Sequence, residues 1–397
     1  MQLSVDQVVQ DCLKTIQDKI NNLTTLNLIV AGKTGSGKST LINSVFRDDL
    51  TETGIGRPVT AHMQRIEKKG VPLVVYDTKG FELGKSAQKE VKDEIMKTIR
   101  DANARNDVNE AIHCIWYCIN AASNRIEAEE IEWLRELGAK NGAARVPIIV
   151  VLTQCLSKKN AQQMRSAVEN ENLDVVQIVP VLAQDYEIDD GYVARAFGLD
   201  VLVKVMSEAL PDELLDTLQS MQKVDLEQKA KLAHKAVVTA TAAAVAAGAA
   251  PIPIADATVL VPIQISMLGS IAAVFNVQID KTVLTTFVST TLGSGGATLL
   301  GRTVVSNLLK LIPGAGTVVG GAISGSTAGL LTTALGETFI LVMTRMYKGQ
   351  IQPGDLQTAQ GKKFIADTFK QQLQRLPRGK RPEELSPAES TESISEK

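Results

Sequence analysis

The sequence is poor in the residues from which metal centres and redox sites are usually built. It contains three histidines and four cysteines among 397 residues. The histidines His62, His113 and His234 are scattered, and the cysteines lack the spacing of a zinc site. We therefore expect neither a catalytic triad nor a zinc centre. We also expect the cysteines to remain thiols in a reducing compartment.

No charge of one sign dominates the chain. The chain has 42 Lys and Arg residues and 44 Asp and Glu residues, which gives a formal net charge of −2. This balance provides no strong basic field, so no nucleic-acid partner is indicated. The segment Met1–Asp6 has neither the basic nor the apolar region of a signal peptide, which predicts a cytoplasmic location.

The length exceeds what one hydrophobic core usually serves, which predicts two domains. Short apolar runs alternate with amphipathic stretches such as 126–137, a pattern typical of buried strands joined by crossover helices. The runs are 26–31, 73–76, 111–119, 148–152 and 175–181. We therefore predict an α/β fold, a doubly wound domain with a mainly parallel sheet.

Changes in composition predict the domain limits. An amphipathic helix occupies 1–24, the α/β domain 25–211, and an all-α domain rich in Gly, Ala and other small or apolar residues 212–376. Pro211 marks the boundary between the two large parts. The tail 377–397 is rich in Pro, Ser and Glu, which predicts disorder.

A glycine-rich segment, Gly32-Lys33-Thr34-Gly35-Ser36-Gly37-Lys38-Ser39, separates the first predicted strand from a helical pattern. This order is that of a phosphate-binding loop, or P-loop. Glycines let backbone amides converge on phosphate oxygens, and the helix N-terminus adds positive potential. We expect Lys38 to contact the β- and γ-phosphates and Ser39 to coordinate magnesium.

Two further segments fit the same chemistry. Asp77-Thr78-Lys79-Gly80 directly follows an apolar run, where Asp77 can hold magnesium through water and the Gly80 amide can meet the γ-phosphate. The segment 53–60 is predicted to be a flexible loop that ends in Thr60, the natural second magnesium ligand. The alternative is a surface loop with an incidental threonine.

Together these segments resemble the translation-factor class of GTPases, in the Era-like and septin-like branch. The P-loop is also similar to that of immunity-related GTPases. The segments 115–117, 129–134, 251–256 and 311–316 resemble bacterial GTPases fused to a YcjF-like domain, which has no settled activity. The resemblance implies GTP and GDP as ligands, Mg²⁺ as cofactor and slow GTP hydrolysis.

The predicted site combines the motif positions. The nucleotide-binding residues are Gly32, Lys33, Thr34, Gly35, Ser36, Gly37, Lys38, Ser39, Thr40, Asp77, Gly80, Thr153, Gln154 and Ala183. The catalytic residues are Lys38, Arg57, Thr60 and Gly80, and the magnesium ligands are Ser39, Thr60 and Asp77. The Ala183 amide is expected to approach the guanine carbonyl.

The sequence departs from this family pattern at two places. Guanine is usually read by Asn or Thr, then Lys, any residue and Asp, whereas this chain has Thr153-Gln154-Cys155-Leu156. Leu156 therefore removes the main source of base discrimination. Phe81 stands where many small GTPases have the glutamine that orients water, so intrinsic hydrolysis is expected to fall to about 10⁻⁴ s⁻¹ without help.

Help could come from within the chain or from outside it. Arg57 lies three residues before Thr60, the offset of the built-in arginine in heterotrimeric G-protein α subunits. The alternative is a solvated loop arginine. In relatives with a hydrophobic residue at the Phe81 position, an activating partner or a second copy is implied to help position the water. Potassium activation is less expected, because Gly35 stands where the asparagine associated with it is found.

Four stretches without charge lie within 236–346, the segment predicted to associate with membranes. They are 236–255, 257–279, 282–301 and 311–336. Their length suits membrane helices, but their Thr, Ser, Ala and Gly content weakens insertion. Peripheral association, multipass insertion and a soluble bundle all stay open. Lysines and arginines on both flanks place the chain on the cytoplasmic face in either membrane arrangement.

The preferred interpretation is a slow GTPase that acts as a nucleotide-dependent switch. Phe81 and the altered segment 153–156 leave a second interpretation, a nucleotide-stabilised membrane scaffold that does not hydrolyse GTP. A third is an ATPase, because Leu156 lacks the carboxylate that reads guanine.

Overall fold

A computed structural model describes residues 4–46, 55–60, 62–78, 84–249, 257–277, 279–292 and 325–375. The chain forms two compact units. Leu23–Asp225 is called the α/β unit, and Met1–Asn22 with Leu226–Lys397 is called the helical unit. The tail 377–397 lies outside the described residues, as do 251–256 and 311–316.

The α/β unit contains both helices and strands, whereas the described residues of the helical unit contain helices. The helices are α1 (Val5–Asn21), α2 (Lys38–Val45), α3 (Gly84–Asn103), α4 (Ala128–Asn141), α5 (Lys158–Glu169), α6 (Leu199–Ala209), α7 (Asp212–Met221), α8 (Leu226–Ala249), α9 (Ala257–Phe275), α10 (Lys281–Leu292), α11 (Gly325–Tyr347) and α12 (Ala359–Arg375). The strands are β1 (Leu26–Gly32), β2 (Ile55–Pro58), β3 (Met63–Glu67), β4 (Leu73–Thr78), β5 (Cys114–Asn120), β6 (Ile148–Thr153), β7 (Gln177–Pro180), β8 (Tyr186–Asp189) and β9 (Tyr192–Ala194).

A seven-stranded sheet organises the α/β unit in the order β2-β3-β4-β1-β5-β6-β7. The strands from β4 to β7 in that order run parallel, and β3 is antiparallel to both of its neighbours. The five predicted runs correspond to β1, β4, β5, β6 and β7. The predicted α/β fold with a mainly parallel sheet is confirmed.

Both faces of the sheet are covered, which explains why its central strands are continuously apolar. In β1, Ile29 and Ala31 enter one core with residues of α3, α4 and α5. Leu28 and Val30 enter the opposite core with residues of α2, α6 and α7. Cys114 and Cys118 are buried in this second core, and all four cysteines are free.

Two strand pairs were missed by the sequence analysis. Residues 55–58, predicted as part of a loop, form the edge strand β2, in which Arg57 pairs with Arg65 of β3. The acidic stretch around 184–191, to which the sequence analysis assigned no strand, lies in the β8–β9 hairpin. Its turn is Asp190-Gly191, with Gly191 at φ 78°. Asp-Gly is a typical hairpin turn, but the acidic residues around it drew attention away from this signal.

The α/β unit ends at Asp225 rather than at Pro211. Pro211 is instead the N-cap of α7, a position where proline starts a helix. The buried face of α7 joins the core of the sheet through Leu214 and Leu218. Helix α7 therefore packs with the α/β unit although it follows Pro211.

The N-terminal helix α1 belongs to the core of the helical unit. Val8, Val9 and Cys12 are buried there among residues of α9 and α10. A Cβ atom at Gly269 of α9 would lie 2.7 Å from Cγ2 of Thr15, so the absence of a side chain lets the two helices approach. Residues 1–24 are therefore not a separate accessory element.

Helices α8 and α11 pack closely through small and hydroxylated residues. Gly336 of α11 lies against Val237 of α8, and the hydroxyls of Thr241 and Thr333 are 2.8 Å apart. His234 Nδ1 lies 2.8 Å from Glu337 Oε1. These pairs satisfy polar groups that would otherwise be costly inside an apolar unit.

Among the described residues one helix, Gly325–Tyr347, is long and apolar enough to cross a membrane. In its most apolar stretch 78% of the residues are buried inside the structure. A core helix of a soluble bundle has the same properties, so this finding is weak support for a membrane span.

Substitution of Gly336 tests the packing of α8 on α11. A Cβ atom there would lie 2.5 Å from Cγ2 of Val237 and 2.9 Å from Sδ of Met267. We expect Gly336→Ala to lower the free energy of unfolding by about 1–3 kcal/mol because the core must shift. Urea denaturation followed by circular dichroism measures the change.

Gly354→Ala is the matched control. Gly354 has helical φ and ψ angles, and a Cβ atom there meets nothing within 4 Å. Its effect should stay within about 0.5 kcal/mol. Equal effects of the two substitutions would contradict close packing at Gly336.

Candidate nucleotide-binding site

The P-loop connects β1 to α2 and is shaped by glycines at positive φ. Gly37 is the N-cap of α2 at φ 77°, a left-handed conformation that a side chain would strain. Gly32 has φ 146°, and a Cβ atom there would lie 2.4 Å from the Cys118 carbonyl oxygen of β5. Only glycine fits at position 32, since the obstruction is backbone.

Lys38 spans the loop from within. Its Nζ donates to the carbonyl oxygens of Gly32 at 2.9 Å and Lys33 at 3.0 Å, and the residue is buried. Ser39 and Thr40 are exposed in the first turn of α2, as are Thr34 and Gly35 in the loop. The predicted phosphate ligands are therefore accessible around an ordered lysine.

Asp77 lies near the end of β4, in register with Val30 of β1. Its Oδ1 atom is buried and has no hydrogen-bond partner among the residues that the structure describes. Burial raises the pKa of Asp77, although the positive charge of Lys38 acts in the opposite direction. Magnesium prefers oxygen ligands and retains water. The free carboxylate oxygen of Asp77 and the hydroxyl of Ser39, the other predicted ligand, are donors of this kind.

Thr60 makes a different contact from the predicted one. Its hydroxyl donates to the carboxylate of Glu94 in α3, and its backbone amide donates to the Met63 carbonyl at 3.2 Å. Gly80, predicted to meet the γ-phosphate, lies outside the described residues. Arg57 lies in edge strand β2, opposite Arg65.

The segment that follows β6 braces the P-loop. The Thr153 hydroxyl lies 2.6 Å from the Ser36 carbonyl oxygen and 3.1 Å from that of Ile119. Gln154 has φ 54°, and its Nε2 donates to the Gly35 carbonyl at 2.8 Å. The structure thus brings Thr153 and Gln154 to the P-loop, as the predicted site requires.

The loops after β6 and β7 run side by side. The Cys155 amide donates to the Val181 carbonyl at 3.1 Å, which places the segment 153–156 beside 181–183. Leu182 pairs with Phe197 in an isolated bridge, and Ala183 is half-buried. Leu156 is 38% exposed at the end of its segment.

Acidic residues of α3 and α4 contact the site but were missed by the sequence analysis. Lys33 forms an ion pair with Glu127, the residue before α4, in addition to the Thr60–Glu94 contact. Glu130 is buried rather than solvated, and burial raises its pKa. These pairings join residues far apart in sequence, so no local pattern could have shown them.

Family comparisons agree with the motifs. The septin family model matches residues 22–195, which contain the P-loop, Asp77 and the segment 153–156. The chain carries a septin-type P-loop GTPase domain. A second model, a domain of unknown function called DUF697, matches residues 211–378, in agreement with the predicted YcjF-like domain.

Curated relatives of the septin-type domain include two septins. Septin-1 of Drosophila melanogaster is 27% identical over 209 residues, with 46% of this chain and 55% of the relative covered. Septin-4 of Mus musculus is 31% identical over 149 residues, with 32% and 30% covered. The chain thus spans about half the length of the first relative and less of the second.

Solved structures similar to the chain are distant. Cdc11 of Saccharomyces cerevisiae is 18% identical with a TM-score of 0.30, covering 49% of this chain and 95% of that one. A probable GTP-binding protein, engB, is 20% identical with a TM-score of 0.29, covering 46% and 97%. The fold assignment therefore depends on the observed sheet and on the family model.

Removal of the Thr153 hydroxyl tests the brace in the septin-type domain. Thr153→Val retains the shape but leaves the Ser36 carbonyl without this donor, so the loop is held less rigidly. We expect GDP affinity to fall about tenfold, the effect of one hydrogen bond of roughly 1–1.5 kcal/mol. Isothermal titration calorimetry measures it.

Thr153→Ser is the control because it keeps the hydroxyl. It should bind GDP within about threefold of the parent. If the valine variant also binds like the parent, the hydrogen bond to Ser36 does not organise the nucleotide site.

Proposed function

We propose that the chain binds GTP with Mg²⁺, hydrolyses it slowly to GDP and phosphate, and uses the change to switch contacts of its helical unit. The observation that carries this proposal is the buried Oδ1 of Asp77, which lacks a hydrogen-bond partner within the described part of the chain. Asp77 lies on the strand next to β1, which leads into the P-loop that Lys38 spans. A charged oxygen in that position is costly unless a cation meets it.

The roles of the P-loop residues follow from their positions. Backbone amides of 32–39 surround the phosphates, and the Nζ of Lys38 leaves the carbonyls of Gly32 and Lys33 for the β- and γ-phosphate oxygens. Ser39 would hold magnesium directly and Asp77 through water. A magnesium ion held there would supply positive charge against the charge that develops on the phosphates.

The Thr60–Glu94 contact supplies a basis for switching. In the structure the Thr60 hydroxyl donates to Glu94 of α3. We propose that Thr60 leaves this position when its oxygen binds magnesium, so that GTP binding would draw the segment away from α3. Loss of the γ-phosphate lets Thr60 return to Glu94. Thr60 would thus exchange between two partners, Glu94 and magnesium, as its segment is ordered and released in the two nucleotide states.

The helical unit is the proposed output of the switch. Residues 236–346 would associate with the cytoplasmic face of a membrane or with a partner protein. Because α11 is largely buried inside the unit, membrane contact through this helix requires the bundle to open. Hydrolysis would be assisted by an activating partner or by a second copy in a homodimer, since Phe81 cannot orient water.

Nucleotide titration and single-turnover assays of the full chain test the activity. We expect GTP to bind better than ATP, to turn over slowly, and to turn over faster with liposomes. Lys38→Ala should reduce turnover by about 100-fold or more because it removes a transition-state charge contact. Circular dichroism checks that the variant remains folded.

Other results would replace the proposal. Tight GTP binding without turnover in either condition would favour the scaffold that does not hydrolyse GTP. Equal or better use of ATP would overturn the guanine assignment. Turnover that does not change on liposomes would remove the membrane coupling and leave the GTPase itself.

A separate substitution tests Arg57 as the built-in catalytic arginine. Arg57→Ala should lower single-turnover hydrolysis at least about tenfold while GTP affinity stays within about threefold, because the arginine acts on charge that develops in the transition state. Rapid quench with radiolabelled GTP measures the rate.

Arg65→Ala is the matched control, since Arg65 lies directly opposite on β3 and is already paired with Glu67. It removes the same charge from the same strand pair. Parent-rate hydrolysis by the Arg57 variant, or equal losses in both variants, would dispose of a catalytic role for Arg57.

A further inference from the structure

We propose that the base pocket does not read the 2-amino group of a purine, so that guanine and hypoxanthine nucleotides bind alike. The inference rests on the proposed function, because it concerns the base end of the same site. It names the substrate class as 6-oxopurine nucleotides rather than guanine nucleotides alone.

The chemistry of the two bases defines the question. Guanine and hypoxanthine share a 6-oxo group and an N1–H donor and differ only by the exocyclic 2-amino group of guanine. An amino group is a donor, so recognition requires an acceptor on the protein. A carboxylate is the side chain best suited to accept from both N1–H and the amino group.

Position 156 is where the septin-like pattern places that acceptor, and here it is an apolar side chain. The structure places the segment next to the P-loop through Thr153 and Gln154 and next to the loop after β7 through Cys155. Leu156 follows these anchored residues and is 38% exposed. Its side chain has no atom that can accept a hydrogen bond.

Two neighbouring side chains that could accept a hydrogen bond already accept one from groups of the protein itself. The Ser157 hydroxyl caps α5 by accepting from the Asn160 amide at 3.3 Å. The Asp185 carboxylate accepts from the Ala196 amide at 2.7 Å and from Arg195 Nη1 at 2.6 Å. These two contacts lower the pKa of Asp185, which indicates a carboxylate held by its own loop.

Two backbone carbonyls of these loops each accept one hydrogen bond within the protein. The Gln154 carbonyl accepts from the Leu156 amide at 2.9 Å, and the Val181 carbonyl accepts from the Cys155 amide. The Gln154 amide nitrogen donates to the Gly35 carbonyl. The described loops thus hold the P-loop in place without offering the carboxylate that would distinguish guanine from hypoxanthine.

Titration of the full chain with GDP and IDP tests the inference without interference from hydrolysis. We expect the two dissociation constants to agree within about threefold. Leu156→Asp should then create a preference for GDP of at least about tenfold, because a charged acceptor gains a hydrogen bond from the amino group. Leu156 is partly exposed, so the carboxylate can be accommodated.

Leu156→Ala is the matched control, since it also changes the side chain at this position but supplies no hydrogen-bond acceptor, and it should leave the preference below about threefold. Thermal unfolding verifies that all three proteins are folded. A parent preference for GDP of tenfold or more would overturn the inference while leaving the proposed function intact. An unchanged ratio in folded Leu156→Asp would also overturn it, since position 156 would not face the base.

Failure of the proposed function gives a different result. If the folded parent binds neither GDP nor IDP at millimolar concentration, the nucleotide site itself is wrong, and the inference falls with it. Equal binding of the two nucleotides by the parent, with a GDP preference created by aspartate, supports both.

Discussion

The complete burial of β1 is the constraint on which the nucleotide site depends. All seven residues of this strand are buried, between a core formed with α3, α4 and α5 and a core formed with α2, α6 and α7. The P-loop starts at its carboxyl end, and its parallel neighbours β4 and β5 deliver Asp77 and Cys118 to the same edge. Because β1 is packed on both faces and paired with a strand along both edges, the loop at its end can adopt few alternative conformations.

The site adds polar contacts that order the loop from several directions. Lys38 holds the carbonyls of Gly32 and Lys33 from within, whereas Thr153 and Gln154 hold Ser36 and Gly35 from the next loop. Asp77 keeps one oxygen buried without a hydrogen-bond partner in the described ranges. A preorganised loop beside a carboxylate with a free oxygen is suited to a phosphate ligand that arrives with a cation.

The helical unit follows a different principle. Helices α9 and α11 carry few charges. In α9 and α11 glycine allows close approach to neighbouring helices, and threonine hydroxyls of α11 are satisfied locally or across helices. Close packing of this kind suits lipid and a soluble core equally. The same composition that made 236–346 resemble membrane segments also builds a bundle in which the apolar helix α11 is largely buried.

By itself the sequence determined the phosphate loop, the five parallel strands and the change of composition between the units, because these depend on local spacing and on periodicity. It did not determine that α1 completes the helical core, that 55–58 form an edge strand, or that α7 packs on the sheet. Nor did it reveal that Glu94 binds Thr60 or that Gln154 braces Gly35. Only the tertiary structure decided these features, because each joins residues remote in sequence whose partner is chosen by packing and by the need to satisfy buried polar groups.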